Sequence, residues 1–166
     1  MPVYVVDTNF FIQAHRAIYP LDVAASFWNK IRQLAHAGTI ISIDKVKDEI
    51  YDHQDVLQQW CGNNLPANFF KDSTPTLPEY SRVTSWAVSR NTQYLPKAIN
   101  EFLEADRADA FIVGYVLADV ANRTIVTYEV SAPMSKNNIK IPDVCTAHSI
   151  PYVNTIEMLR QLGETF

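Results

Sequence analysis

The sequence predicts an α/β protein: a single domain, residues 1–166, folded as a three-layer α/β/α sandwich around a central parallel sheet. Three observations point there. Short apolar, β-branched runs at 3–6, 39–43, 124–128 and 152–153 read as buried strands. Stretches with helical periodicity separate them, and strands alternating with helices imply parallel pairing with both sheet faces covered. The chain has 166 residues, 48% hydrophobic and 19% charged, which suits one well-packed core and is short for two.

Residues 3–6 form the first strand and run into Asp7, Thr8 and Asn9. Residues 10–19 are open between a short helix and a loop. A helix over 22–37 carries an apolar stripe of Val23, Phe27, Trp28, Ile31, Leu34 and Ala35, and Gly38 stops it. After strand 39–43, Asp44 is expected to cap a helix from Lys45 to about His53, with a further helical stretch to Trp60. Residues 65–79, holding Pro66, Pro75 and Pro78, are expected to be an irregular surface excursion. Helices follow at 80–91 and 96–104, the second opened by Pro96. Asp106 is expected to cap the next helix, which runs to about 121 with Ala110, Phe111, Val113, Gly114, Leu117 and Ala118 on its apolar side. Strand 124–128 ends at Glu129, a polar loop spans 131–140, and a short helix covers 142–148. Asn154 and Glu157 make a capping box for the last helix, 155–162.

Composition narrows the function. A net charge of -4 argues against a protein that coats nucleic acid through a basic surface, yet an acidic metal site would itself lower the count. Cys61 and Cys145 form neither a metal-ligand spacing nor a disulfide framework and read as reduced thiols. His15, His36, His53 and His148 make no zinc set or general-base pair. With four glycines there is no Gly-x-Gly-x-x-Gly or Walker loop, which disfavours a nucleotide cofactor. No secretory leader is read and no apolar run approaches ~18 residues, so the expectation is a cytoplasmic protein with no membrane insertion.

Four acids stand apart from ordinary surface charge. Asp7 and Glu129 each follow a buried strand, and parallel strands end at one sheet edge, where open α/β folds bind ligands. Glu49 falls on or beside the apolar stripe of its helix with Val46 and Ile50, whereas Asp48 points toward Asp44 and Lys45. Asp109 lies in the first turn of an apolar helix. Each alone has a plainer use as a cap, a turn residue or a solvated acid. Together they repel: two unit charges ~4 Å apart cost about 4 kcal/mol at an effective dielectric near 20. Converging acids therefore protonate or take a cation. Oxygen ligands suit Mg or Mn rather than zinc, and such an ion supports hydrolysis of a phosphodiester without a covalent intermediate. Thr8 and Asn9 either hydrogen-bond Asp7 or bind a metal-bound water or substrate, or merely close the turn. Arg107, Lys45 and Lys47 flank the acids, placed to meet phosphates or to form a solvated face. Phe10, Phe11, Tyr51 and Trp60 suit core packing better than base stacking.

The acids and their settings resemble a PIN domain, the fold of many small metal-dependent ribonucleases. Asp7-Thr8-Asn9 matches the family's Asp-Ser/Thr-Asn/Ser after the first strand, and Val46-Lys47-Asp48-Glu49-Ile50 its helical Glu. Ala108-Asp109-Ala110 matches its Ala-Asp-Ala/Pro helix start, and Thr127-Tyr128-Glu129 its Thr-x-Asp, with Glu in place of Asp. The carboxy-terminal segment, Lys140 to Cys145 with Tyr152-Val153-Asn154, resembles an uncharacterised bacterial subgroup of PIN-like proteins. The resemblance implies a parallel sheet with a central first strand. It implies Asp7, Glu49, Asp109 and Glu129 as catalytic metal ligands for Mg or Mn, and RNA as substrate. Many small bacterial relatives are toxins held inactive by an antitoxin protein, so an antitoxin is an implied partner, and a homodimer is left open. The alternative is a degenerate PIN-like scaffold that binds RNA or protein without cleaving. A phosphatase with Asp7 as nucleophile ranks last, because such enzymes carry a second Asp two positions on, where this chain has Asn9.

Overall fold

Strand β1 (Val3–Val6) is buried along almost its whole length, and the sheet is built outward from it. In this computed structural model, which describes residues 2–166, the other strands are β2 (Ile40–Ile43), β3 (Phe70–Lys71), β4 (Arg123–Val126) and β5 (Tyr152–Val153). All pair in parallel, in the order β3-β2-β1-β4-β5, with Tyr4 opposite Ile40 and Val6 opposite Val126. The first strand is thus central, as expected, and all strands deliver their carboxyl ends to one edge. The helices are α1 (Thr8–Gln13), α2 (Ala25–His36), α3 (Asp44–Tyr51), α4 (Val56–Asn64), α5 (Leu77–Ser89), α6 (Pro96–Leu103), α7 (Asp109–Leu117), α8 (Ile141–Ala147) and α9 (Thr155–Leu162). Sheet and helices form the expected three layers around a single cluster of buried side chains. Among the described residues no helix is long and apolar enough to cross a membrane.

The ambiguous segment after Asp7 is helical as far as Ile18, since a π-helical stretch, Ala14–Ile18, continues α1. Four other expectations need correction. Residues 65–79 are no mere excursion: Phe70–Lys71 adds an edge strand to β2, and Phe69 is buried beneath it. Two residues in a proline-containing stretch carry no periodic signal in the sequence. Val23 is 76% exposed, because α2 starts only at Ala25 and leaves it on the preceding turn. Asp44 is the first helical residue of α3 rather than its cap, and its Oδ1 accepts from its own Lys45 N–H (2.9 Å) and from the Ser73 hydroxyl (2.7 Å). Asp106 is exposed and does not cap α7, which begins at Asp109 with Ala108 in the cap position.

Helix α7 is buried on every side from Ala110 to Val116, as befits a helix between the sheet and α5. Gly114 makes this packing close. A Cβ there would stand 2.8 Å from the Tyr80 backbone nitrogen, nearer than any side chain tolerates. One turn away, the Tyr80 and Phe111 rings stack at 4.0 Å between centroids. Gly38 ends α2 at φ 74°, as its position in the sequence suggested.

Candidate active site

At the carboxyl edge of the central strands, Asp7 leaves β1 beside the end of β4, its N–H donating to the Val126 carbonyl (3.3 Å). Its carboxylate caps α1, Oδ1 accepting from Phe10 N–H (2.7 Å), while Oδ2 accepts from the Thr127 hydroxyl (2.6 Å). Only 3% of Asp7 is exposed. Burial pushes its pKa up to about 8; the two hydrogen bonds oppose that rise, and Asp109 and Glu129 add to it. The two-bond anchoring of a buried carboxylate suits a fixed ligand better than a nucleophile.

Glu49 projects inward from α3 while its neighbour Asp48 is exposed, so the choice between them follows the helical offset. Its Oε1 accepts from Ala108 N–H (2.5 Å), which gives α7 an N-terminal partner from a distant helix. Burial raises its pKa; the Ala108 bond, the Thr8 hydroxyl and Arg107 pull it down, and Asp109 raises it. The Thr8 hydroxyl lies beside Glu49 without completing a full hydrogen bond, and its buried Oγ1 has no other partner. Asn9, next along α1, is half-buried.

Asp109 opens α7 and is the common neighbour, its charge felt by Asp7, Glu49 and Glu129. Burial raises its pKa, countered by Arg107, whose Nη2 lies 3.5 Å from Oδ2, and by Lys140. Arg107 itself stands 44% exposed at the rim. Glu129 is reached by two more residues of coil after β4; its N–H donates to Thr127 Oγ1 (3.1 Å) and its Oε2 accepts from Ile141 N–H (2.6 Å) at the start of α8. Burial and then Asp109 raise its pKa, against Ile141, Lys140 and Arg107.

The four acids therefore meet from four separate elements, with Thr8 and Arg107 beside them. Other sequence candidates do not join. Lys45 and Lys47 lie over the Phe111 and Tyr51 rings at 4.8 and 5.3 Å, Phe10 and Phe11 are core residues, and His53 is exposed. Two participants went unassigned in the sequence. Thr127 holds Asp7 and Glu129 through one hydroxyl, a role that its place in Thr-x-Glu could have signalled. Lys140 reaches the site only through the fold of the 131–140 loop.

The donor set is oxygen only, with a surplus of repelling carboxylates and with Glu49 Oε2, Asp109 Oδ1 and Glu129 Oε1 outside the protein hydrogen bonds. That chemistry fits a hard divalent cation. The acids are not drawn into a closed cage: among the described residues no three His, Cys, Asp or Glu side chains are grouped to hold a metal ion.

No curated protein matches the chain. One solved structure, VapBC2 from Rickettsia felis bound to a DNA fragment from their promoter, is similar over 92% of this chain and 98% of that chain, with a TM-score of 0.49 and 15% identity. Nearly the whole sheet, the helices that cover it and all four acids lie within one stretch, residues 4–166, that matches a single family model, and the chain belongs to that family, described as a domain of unknown function (DUF4411).

Proposed function

We propose that this protein is a PIN-like, Mg- or Mn-dependent endoribonuclease. The observation that carries the reading is the convergence of four partly or fully buried carboxylates from four elements on one sheet edge, with Asp109 repelling each of the other three. Asp7, Glu49, Asp109 and Glu129 would hold the ion, which when bound activates water and stabilises charge on a phosphodiester. The chain's own groups do the rest. Thr127 fixes Asp7, while Ala108 N–H and Ile141 N–H orient the two glutamates. Arg107 and Lys140 supply positive charge at the rim, where an RNA phosphate would otherwise meet only acids.

Cleavage of a mixed RNA panel with Mn, with Mg and with chelator tests the reading. Metal-dependent cleavage lost in Asp7→Asn supports it, and cleavage that survives both chelation and that substitution overturns it. The resemblance further suggests a toxin with an antitoxin protein as partner. Growth arrest on expression of the wild type and not of Asp7→Asn is the expected sign.

A second reading, a non-cleaving scaffold, is favoured by the oxygens that Glu49 and Glu129 commit to backbone N–H groups. Calorimetric titration of Mn beside the cleavage assay separates the two: binding with turnover in the wild type, weakened in Glu129→Gln, supports the nuclease, whereas a folded wild type without turnover, whether or not it binds Mn, supports the scaffold.

A further inference from the structure

A cavity of about 550 Å³ flanks the acid site and has no part in it. It is lined by Trp86 and Arg90 of α5 and its end, Gln93 and Tyr94 of the following turn, Ser131, and Asp143 of α8. Ser131 follows Glu129 by two residues, so the cavity mouth lies within ~7 Å of chain from a site acid. Three of its lining side chains, Trp86, Arg90 and Tyr94, carry flat groups. The Arg90 guanidinium lies over the Trp86 ring at 6.0 Å, and the buried Tyr94 ring meets Trp86 edge to face at 6.4 Å. Burial raises the pKa of the Tyr94 hydroxyl, Asp143 raises it further and Arg90 lowers it, so both charges lie near that hydroxyl. Gln93 fixes the far wall, its Nε2 donating to the Pro133 (2.6 Å) and Ser135 (3.2 Å) carbonyls.

Asp143 decides what fits. Its oxygens accept from the Ser131 hydroxyl (2.5 Å) and from Ala132 N–H (2.9 Å), which orients the carboxylate and leaves further lone pairs for another donor. A phosphate beside this carboxylate is repelled. An aromatic base is not: its face suits Trp86 and Arg90, and an amino group on its edge suits Asp143.

We propose that this cavity is a nucleobase subsite, holding a base of the single-stranded RNA close to the scissile phosphate and preferring adenine, cytosine or guanine over uracil. Uracil offers one ring N–H between two carbonyls, and a carboxylate repels those carbonyls. The inference rests on the nuclease reading for the identity of the strand.

The test uses the intact protein in chelator, so that binding is read without cleavage. Tryptophan fluorescence is titrated with eight-nucleotide oligomers of adenylate, cytidylate and uridylate. Adenylate and cytidylate are expected to quench more strongly than uridylate, and Trp86→Phe assigns the change. Arg90→Gln, on an exposed residue clear of the core, is expected to weaken binding roughly tenfold. Asp143→Asn is expected to erase the discrimination against uridylate. Equal binding of all three by the wild type, or unchanged binding in Arg90→Gln, overturns the subsite. Base-dependent binding without cleavage in Mn retains the subsite and sinks the nuclease, whereas cleavage with base-independent binding does the reverse.

Discussion

The acid site has two halves built on different principles. Asp7 and Thr127 stand at the ends of adjacent strands whose register, Val6 opposite Val126, sets their separation, and both Asp7 oxygens are bonded. Glu49, Asp109 and Glu129 come from a helix, another helix and a coil, and each keeps one oxygen free of protein hydrogen bonds. The first half cannot shift without breaking the sheet. The second is held at one oxygen of each acid, by Ala108 N–H, Arg107 and Ile141 N–H, and leaves the other oxygen uncommitted. Under the proposed function, such a site would offer a cation one fixed carboxylate and three others, each with an uncommitted oxygen.

Removing the fixed half should do most damage. Asp7→Asn is expected to lower metal-dependent RNA cleavage roughly a thousandfold while the fold persists, because Asn caps a helix as well as Asp does. Single-turnover assays with circular dichroism check it; a loss no greater than that from Glu129→Gln would erase the distinction between the halves. Thr127→Val removes the donor to Asp7 and the acceptor for Glu129 N–H, and a loss of about 10- to 100-fold is expected, the usual range for groups that orient a ligand. Thr127→Ser should restore most of it.

The fixed half should also cost stability. A carboxyl whose folded pKa lies above its unfolded value binds a proton on folding. Its favourable contribution is full below about pH 4 and is lost as pH rises toward about 8, for Asp7 by at most about 1.4 kcal/mol per pH unit. Urea midpoints in chelator should therefore fall between pH 5 and pH 8. In Asp7→Asn the fall should be shallower but not flat, because Glu49, Asp109 and Glu129 are raised too. A steeper fall in the variant would contradict the burial argument. The smallest effect belongs to the rim: Arg107→Gln should raise KM only a few-fold, and less at high salt, since the residue is 44% exposed.

What the sequence disclosed follows from the range of each cause. Asp7 was legible because a strand and its end are written in consecutive residues, and Glu49 because a helical offset separates it from Asp48; β4 ends at Val126 rather than at 128, so Glu129 lies near its predicted place but on coil beyond the strand. Asp106 misled because the group that meets the start of α7 is Glu49, 59 positions away. Lys140, the Phe70–Lys71 strand and the Trp86–Asp143 cavity likewise depend on contacts between distant segments, for which local pattern holds no signal.

The Gly114–Tyr80 contact bears on distance rather than stability. Two backbones touching have no rotamer to adjust, so the gap between α7 and α5 is set by atomic radii. Asp109 rides on one of these helices and Trp86 on the other. The pair acts as a gauge block between the place where a bond would be cut and the place where a base would be seated. Surface residues along α5 can change freely while the step from one to the other stays one fixed length.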